Sequence, residues 1–368
     1  MDATLPGSGM AAILVEQRSP LVIDEVGLPT ALDVGQVLVR LHYSGICGSQ
    51  IGEIDGVKGP DRHLPHLLGH EGSATVLEVG PGVSNVQVGD LVVLHWRQGK
   101  GIEAVPPVYD CSGLSVNAGW VTTFNEFAVV SENRCTTVPP ETDRQLAALF
   151  GCAVTTGFGV VENNARVRAG ESVVVYGSGG VGLSIVQAAA MHGARVIIGV
   201  DLYPARLELA AEMGATHLID GGDDGVEERL ADILGDGGAD VFVDNTGLPR
   251  VVEMGYRLTS AKGRVVMVGV PNSGDQVSLS PLPLYFGKEL TGSHGGEAEP
   301  SSDIPRLMGL LDEGLLKLDN LINAVLTRRD QRGDSVHPVG RIGWAMSARI
   351  RRGLRGLSQW SLNRKDQR

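Results

Sequence analysis

The stretch SVVVYGSGGVGLSIVQAAAMHG at residues 172–193 limits the fold more tightly than any other part of the chain. SVVVY is a continuous apolar run of the kind buried on both faces of a parallel sheet, and VGLSIVQAAAMHGA predicts a helix that ends at Gly193. Between them Gly177, Gly179 and Gly182 stand in GxGxxG spacing, with Gly180 and Val181 inside the motif. Glycines at these points allow a tight turn and a close backbone approach to a pyrophosphate, which the positive end of the helix then stabilises. The next apolar strand, RVIIGVD, ends at Asp201, 19 residues after Gly182. A carboxylate there can accept from both adenine-ribose hydroxyls and repels a 2′-phosphate. Leu202 and Tyr203 add no cation, so NAD is expected rather than NADP; Arg206 is either a contact at the adenine edge or an ordinary helix cation. The helical segment ARLELAAEMGA and the strands ADVFVDNTG and GRVVMVGV continue the alternation of a doubly wound α/β sheet.

Upstream the pattern is different. Residues 10–45 and 72–93 hold short alternating stretches (AAILVE, QVLVRLHY, GSATVLEVG, DLVVLHW) separated by Gly, Pro and Asp, which predicts a twisted antiparallel sheet. At 368 residues the chain reads as two domains. Residues 95–123 show little periodicity and read as an excursion from the first domain. No apolar run approaches the roughly 18–20 residues of a membrane-spanning helix. The N-terminal MDATLPGSGMAAILVE lacks the basic and apolar regions of a secretory signal, so a cytoplasmic location is expected. A net charge of -12 argues against nucleic acid or anionic membranes as partners.

Four cysteines, Cys47, Cys111, Cys135 and Cys152, are too scattered for a disulfide framework, which leaves buried thiols or metal ligands. Cys47 lies in the Gly-rich SGICGSQIGEIDG, directly after VLVRLHY, and His70 lies in GHE. Together with FNEFAVVSEN, FGCAVTTGFGVV, YGSGGVG, VDLYPARLELAAEMGATHLID and GSHGG followed by DIP, these stretches occur in the order that resembles the zinc-containing medium-chain alcohol dehydrogenase superfamily over roughly residues 10–325.

The resemblance implies a GroES-like antiparallel β catalytic domain (residues 1–155 and 293–368) and a Rossmann domain that binds NAD (residues 156–292). It implies that Cys47, His70 and Cys152 hold one catalytic zinc, a set that leaves a fourth tetrahedral position open. Glu71 corresponds to an acidic residue near that zinc, Ser49 to the hydroxyl that takes the alcohol proton, and Thr156 to a nicotinamide contact. Asn245, Thr246, Gly269 and Val270 fall at strand ends on the cofactor side. The implied reaction passes hydride between a small-molecule alcohol or ketone and nicotinamide, with zinc as Lewis acid, in a homodimer or homotetramer. Trp96 and Arg97 are candidate substrate contacts, and their polar, cationic surroundings suggest a secondary alcohol such as a polyol, cyclitol or sugar derivative. The alternatives are a zinc-free NAD(P)H quinone or enone reductase and a non-catalytic dinucleotide-binding protein.

The chain departs from the family pattern in three places. Gln50 and Gly52 stand where an aspartate and often a histidine are expected, which weakens the support of the histidine ligand and removes a proton exit. The excursion carries only Cys111, so no structural zinc is expected. From Arg328 to Arg368 ten Arg and one Lys face three Asp, a balance of +8 that leaves -20 for residues 1–327. This tail resembles the product of an altered reading frame; a basic arm for an anionic partner is its rival reading.

Overall fold

The computed structural model describes residues 6–322, 325–328, 341–343 and 360–363. The chain divides into two compact units: Met1–Cys152 with Glu299–Glu313 and Leu318–Arg368, and Ala153–Ala298 with Gly314–Lys317.

The first unit is built on antiparallel sheets. Strand β1 (Ser8–Leu14) pairs with β2 (Val22–Gly27), and β3 (Gln36–Gly45) leads into helix α1 (Gly48–Ile54). There follow β4 (His66–Leu67), β5 (Glu71–Val79), β6 (Leu91–His95), β7 (Val108–Cys111), β8 (Leu114–Asn117), β9 (Phe127–Ser131) and β10 (Cys135–Val138). Strands β1, β2, β7, β8 and β4 close a small barrel, while β10, β6, β5 and β3 form the second sheet, with β9 also on β3. The alternation of β1 serves two cores: Ala11 and Ile13 point into the barrel with Val26, Tyr109 and Val116, whereas Ala12 and Leu14 pack with Leu21, Leu68 and Ile54. Ile54 thereby anchors α1, and burial of such a side chain is worth roughly 1.5–3 kcal/mol.

The hairpin β7–β8 lies inside the segment that has no periodicity in the sequence. Its turn places Ser112 (φ 53°) and Gly113 (φ 88°) in the left-handed region, as a two-residue hairpin of this hand requires. Cys111 is part of the barrel core, and burial pushes its thiol up; Cys135 is buried in the second sheet and pushed up for the same reason. Both act as packed hydrophobes.

The second unit is a doubly wound α/β layer. Strands β11 (Ser172–Tyr176), β12 (Val196–Asp201), β13 (His217–Asp220), β14 (Ala239–Asp244), β15 (Thr259–Met267) and β16 (Glu289–Gly292) are all parallel, in the order β13-β12-β11-β14-β15-β16. That order reverses between β11 and β14, the crevice in which such sheets bind dinucleotides. The strands read as apolar runs because helices cover them. Val174, Ile198, Phe242 and Val265 are completely buried.

Of the Arg-rich tail the structure describes Val325–Arg328, Arg341–Gly343 and Trp360–Asn363, whose backbones pair in the sheet that contains β3. The two readings of the tail otherwise concern residues outside those described. Among the described residues no single helix is long and apolar enough to cross a membrane.

Candidate active site

In the first unit the path of the chain brings four donors together. Cys47 lies two residues beyond the end of β3 and is the N-cap of α1; His70 precedes β5, whose first residue is Glu71; Cys152 follows helix α2 (Arg144–Ala147) and a 3-10 turn, Ala148–Gly151. Strands β3 and β5 pair with Ser44 opposite Gly72, so Cys47 and His70 lie at the same sheet end. Gly151 allows Cys152 to approach: a Cβ there would meet the Leu94 carbonyl at 2.3 Å and the Glu71 backbone at 2.8 Å. Gly69 has φ 92° and no room for a side chain against Thr123, which accounts for the glycine of GHE.

One ligand atom each from Cys47, His70, Glu71 and Cys152 lies within 4.8 Å of all the others. Tetrahedral zinc with bonds of about 2.0–2.3 Å needs donors of this softness and proximity. His70 Nε2 is buried and has no hydrogen-bond partner, a costly arrangement unless a ligand engages it. A hydrogen bond from Cys152 holds the Cys47 thiol well below the usual thiol range against the opposing effect of burial, and His70 and Ser49 add to the lowering. A thiolate is the form that binds metal. The residues present therefore fit a zinc ion. Glu71, fully buried, stands close enough to the cluster to count among its donors.

Gln50, where the sequence departs from the family pattern, is buried at the first turn of α1 and touches His70 Nδ1 with its amide nitrogen. Trp96 also borders the cluster. Glu71 pairs with His95 across β5 and β6, so the residues just outside that pair, His70 and Trp96, come to 6.3 Å between ring centroids. Arg97 lies over the Trp96 ring at 5.9 Å. Beneath them burial lowers the pKa of His95 to about 4, and its ring is fixed between the Arg97 carbonyl and Thr136. Thr156, the other residue expected near the chemistry, belongs to the second unit, buried in helix α3 (Ala153–Gly159).

The second unit carries the Gly-rich turn between β11 and α4 (Gly180–Met191). Gly177 has φ 98°, and a Cβ on Gly182 would meet the Gly177 carbonyl at 2.0 Å, so the helix can seat on the turn only without a side chain there. Gly179 faces open space, leaving the helix N-terminus with Gly180 and Val181 accessible to an anion. Ser178 Oγ and Asn245 Oδ1 are buried beside this turn without partners. A carboxylate at the end of β12 accepts from the Ser178 N–H at 2.8 Å: this is Asp201, which also accepts from the Tyr203 N–H at 3.0 Å. Arg206 pairs with the same carboxylate at 3.4 Å and lies over the Tyr203 ring at 4.8 Å.

Asn245, Thr246, Gly269 and Val270 occupy the loops after β14 and β15, where a Cβ on Gly269 would meet the Gly247 nitrogen at 2.1 Å. One residue that sequence reasoning passed over organises this loop. Asp244 is fully buried and accepts from Thr246 N, Thr246 Oγ1 and Gly247 N. Its only signal in the sequence is an acid at the end of the apolar run VFV. These groups fit a dinucleotide.

Comparison with known proteins supports the same assignment. Residues 33–140 match the family model described as alcohol dehydrogenase GroES-like domain, and residues 180–313 that described as zinc-binding dehydrogenase. An S-(hydroxymethyl)glutathione dehydrogenase of Synechocystis is 31% identical, over 89% of this chain and 96% of its own length. A class-3 alcohol dehydrogenase of Cereibacter sphaeroides is also 31% identical, over 86% and 93%. Among solved structures, an alcohol dehydrogenase zinc-binding domain protein from Burkholderia ambifaria is similar at TM-score 0.77 and 30% identity, covering 85% of this chain and 91% of its own. A benzyl alcohol dehydrogenase from Acinetobacter calcoaceticus is similar at TM-score 0.75 and 28% identity, with the same coverage. The chain belongs to the zinc-containing medium-chain alcohol dehydrogenase superfamily, as an alcohol dehydrogenase with zinc and NAD for cofactors.

Proposed function

We propose that the chain interconverts an alcohol and its carbonyl compound with Cys47, His70 and Cys152 as the zinc ligands, Glu71 beside them, and Ser49 as the group that receives the alcohol proton. The observation that carries this reading is the cluster of two thiols, an imidazole and a carboxylate within 4.8 Å, with the partnerless His70 Nε2 among them. When bound, zinc and NAD supply a Lewis acid for the alcohol oxygen and a hydride acceptor for its carbon. The protein's own share is placement. The two thiols and the imidazole leave a fourth position for oxygen, and Ser49, hydrogen-bonded to Cys47, stands one residue into α1 where its hydroxyl can pass a proton onward. In the second unit Thr156 on α3 is the proposed nicotinamide contact. Gly177, Gly179, Gly180, Val181 and Gly182 receive the pyrophosphate, and Asp201 takes the adenine ribose.

The substrate is proposed as a polar secondary alcohol, a polyol, cyclitol or sugar derivative. Trp96 and Arg97 favour it by presenting an aromatic face and a cation next to His70. The relatives' names point to S-(hydroxymethyl)glutathione and benzyl alcohol, so these belong in the same panel. NAD reduction measured across that panel, with and without a chelator, is the test. Turnover confined to the polyols supports the substrate reading, and preference for either named alcohol replaces it.

Cofactor choice gives a separate expectation. Replacement in Asp201→Ser removes the ribose acceptor and releases Arg206, so the ratio of kcat/KM for NADP over that for NAD should rise by roughly tenfold to a hundredfold. An unchanged ratio would place the ribose elsewhere.

A homo-oligomer is also proposed. Leu282, Tyr285 and Phe286 are exposed large apolar side chains in the segment leading into β16, the open edge of the parallel sheet. Light scattering should give at least twice the 38.7 kDa of one chain, and a monomer mass contradicts the proposal.

A further inference from the structure

Three strand-end loops meet where the order of the parallel sheet reverses, and one buried side chain is bonded into all of that region. Asp244 closes β14 and is fully buried. Its Oδ1 accepts from the Thr246 N–H at 2.8 Å and from Thr246 Oγ1 at 2.6 Å, and its Oδ2 accepts from the Gly247 N–H at 3.0 Å. Its main-chain carbonyl accepts from the N–H groups of Val268 at 2.8 Å and Gly269 at 2.9 Å, which ties the end of β15 to the same residue. The loop so held lies against the Gly-rich turn: a Cβ on Gly177 would come to 3.2 Å from Asn245 Cβ and 3.3 Å from Thr246 Cγ2. The side-chain amide of Asn245 donates in turn to the Gly177 carbonyl at 3.3 Å. Asp201 ends β12, on one side of β11, and Asp244 ends β14, on the other. A dinucleotide with its adenine ribose at Asp201 and its pyrophosphate on the turn after β11 therefore lays its other half over the ends of β14 and β15.

We propose that Asp244 is a positioning residue for the cofactor: its carboxylate holds the loop 245–247 in its ligand-binding shape before NAD arrives, and its contribution to affinity falls on the nicotinamide half. The proposal rests on the Gly-rich turn and Asp201 as the dinucleotide seat. Ordering a flexible loop costs entropy, and a loop already ordered by bonds within the protein spares the ligand that cost. A carboxylate matches the three donors, because each of its oxygens accepts. An amide has one accepting oxygen. Kept on Thr246, it turns its NH2 toward the Gly247 N–H, donor against donor, in a place with no exposure to water. Gly247 itself stands at φ 71°, a conformation that glycine leaves easily once the bond to Asp244 is gone.

The test uses the full chain as wild type and Asp244→Asn. NAD and ADP, which shares the adenine ribose and pyrophosphate, are titrated separately by calorimetry, and hydrogen exchange of the segment 244–248 is followed by mass spectrometry. Asp244→Asn should bind NAD about tenfold to a hundredfold more weakly, as the share of molecules with the loop in shape falls to about a tenth or less, and should bind ADP within about twofold of wild type. In wild type the segment should exchange slowly already without NAD, and in Asp244→Asn only once NAD is bound. Equal loss of NAD and ADP affinity is a general loosening of the unit and overturns the proposal. So does unchanged NAD affinity, or a wild-type segment that exchanges fast until NAD binds; this last readout needs no variant, so the proposal can fail even where Asp244→Asn does not fold. Wild type that binds neither NAD nor ADP overturns the dinucleotide seat itself and the positioning role with it.

Discussion

Exchange of Cys152 for serine should leave a folded protein that holds no stoichiometric zinc and oxidises alcohols at least about a thousandfold more slowly. The side chain keeps its size, so packing around the turn Ala148–Gly151 changes little. Its chemistry changes greatly, because a hydroxyl does not ionise near neutral pH and a thiol in this cluster does so readily. Loss of several kcal/mol of Lewis-acid stabilisation corresponds to the thousandfold, at about 1.4 kcal/mol per factor of ten. Metal content by elemental analysis and turnover with NAD are the readouts; full zinc and full activity in Cys152→Ser would remove Cys152 from the site.

The second large effect is expected in the other unit. In Gly182→Ala a methyl group would lie 2.0 Å from the Gly177 carbonyl, a backbone atom that can yield only if the whole turn opens. Overpacking of this kind costs about 1–3 kcal/mol of stability. Opening the turn also spoils the alignment of backbone N–H groups with a pyrophosphate, so NAD affinity should fall about a hundredfold or more. Gly179→Ala provides the contrast. A Cβ there meets nothing within 4 Å, so stability should be retained and any loss of NAD affinity must come from occupation of the ligand's space. Denaturant unfolding and NAD titration by protein fluorescence separate the two variants. Equal behaviour of both would mean that the turn is not the dinucleotide seat.

Much of this was legible in the chain itself, for identifiable reasons. GxGxxG after an apolar strand leaves little freedom, because Gly177 and Gly182 answer to backbone contacts within a few residues of sequence. In the sequence Cys111 and Cys135 could be either buried thiols or metal ligands, because only the fold shows that each packs into an apolar core. The hairpin β7–β8 was hidden because its strands are four residues each, too short for an alternating pattern to stand out, and its turn uses Ser112 at a left-handed φ where glycine is the usual signal. Asp244 escaped notice because its role is entirely in the loop that follows, bonded to Thr246 and Gly247. Arg206 was visible as a cation but not as the partner of Asp201, a contact fixed by how α5 (Pro204–Glu212) leaves the end of β12. The double contact of Gln50 depends on register: Cys47 caps the N-terminus of α1, and the start of β5 brings His70 back beside Gln50, 20 residues later in sequence.

The most direct test of the central claim is a metal-removal and restoration cycle on the full chain, with bound zinc and the rate of alcohol-dependent NAD reduction measured on the same samples. The cluster of Cys47, His70, Glu71 and Cys152 predicts that activity falls in proportion to zinc removed, that stoichiometric Zn2+ restores it, and that Cys152→Ser cannot be restored. Full activity in protein shown to be free of metal, or restoration of Cys152→Ser to the wild-type rate, would contradict the zinc assignment.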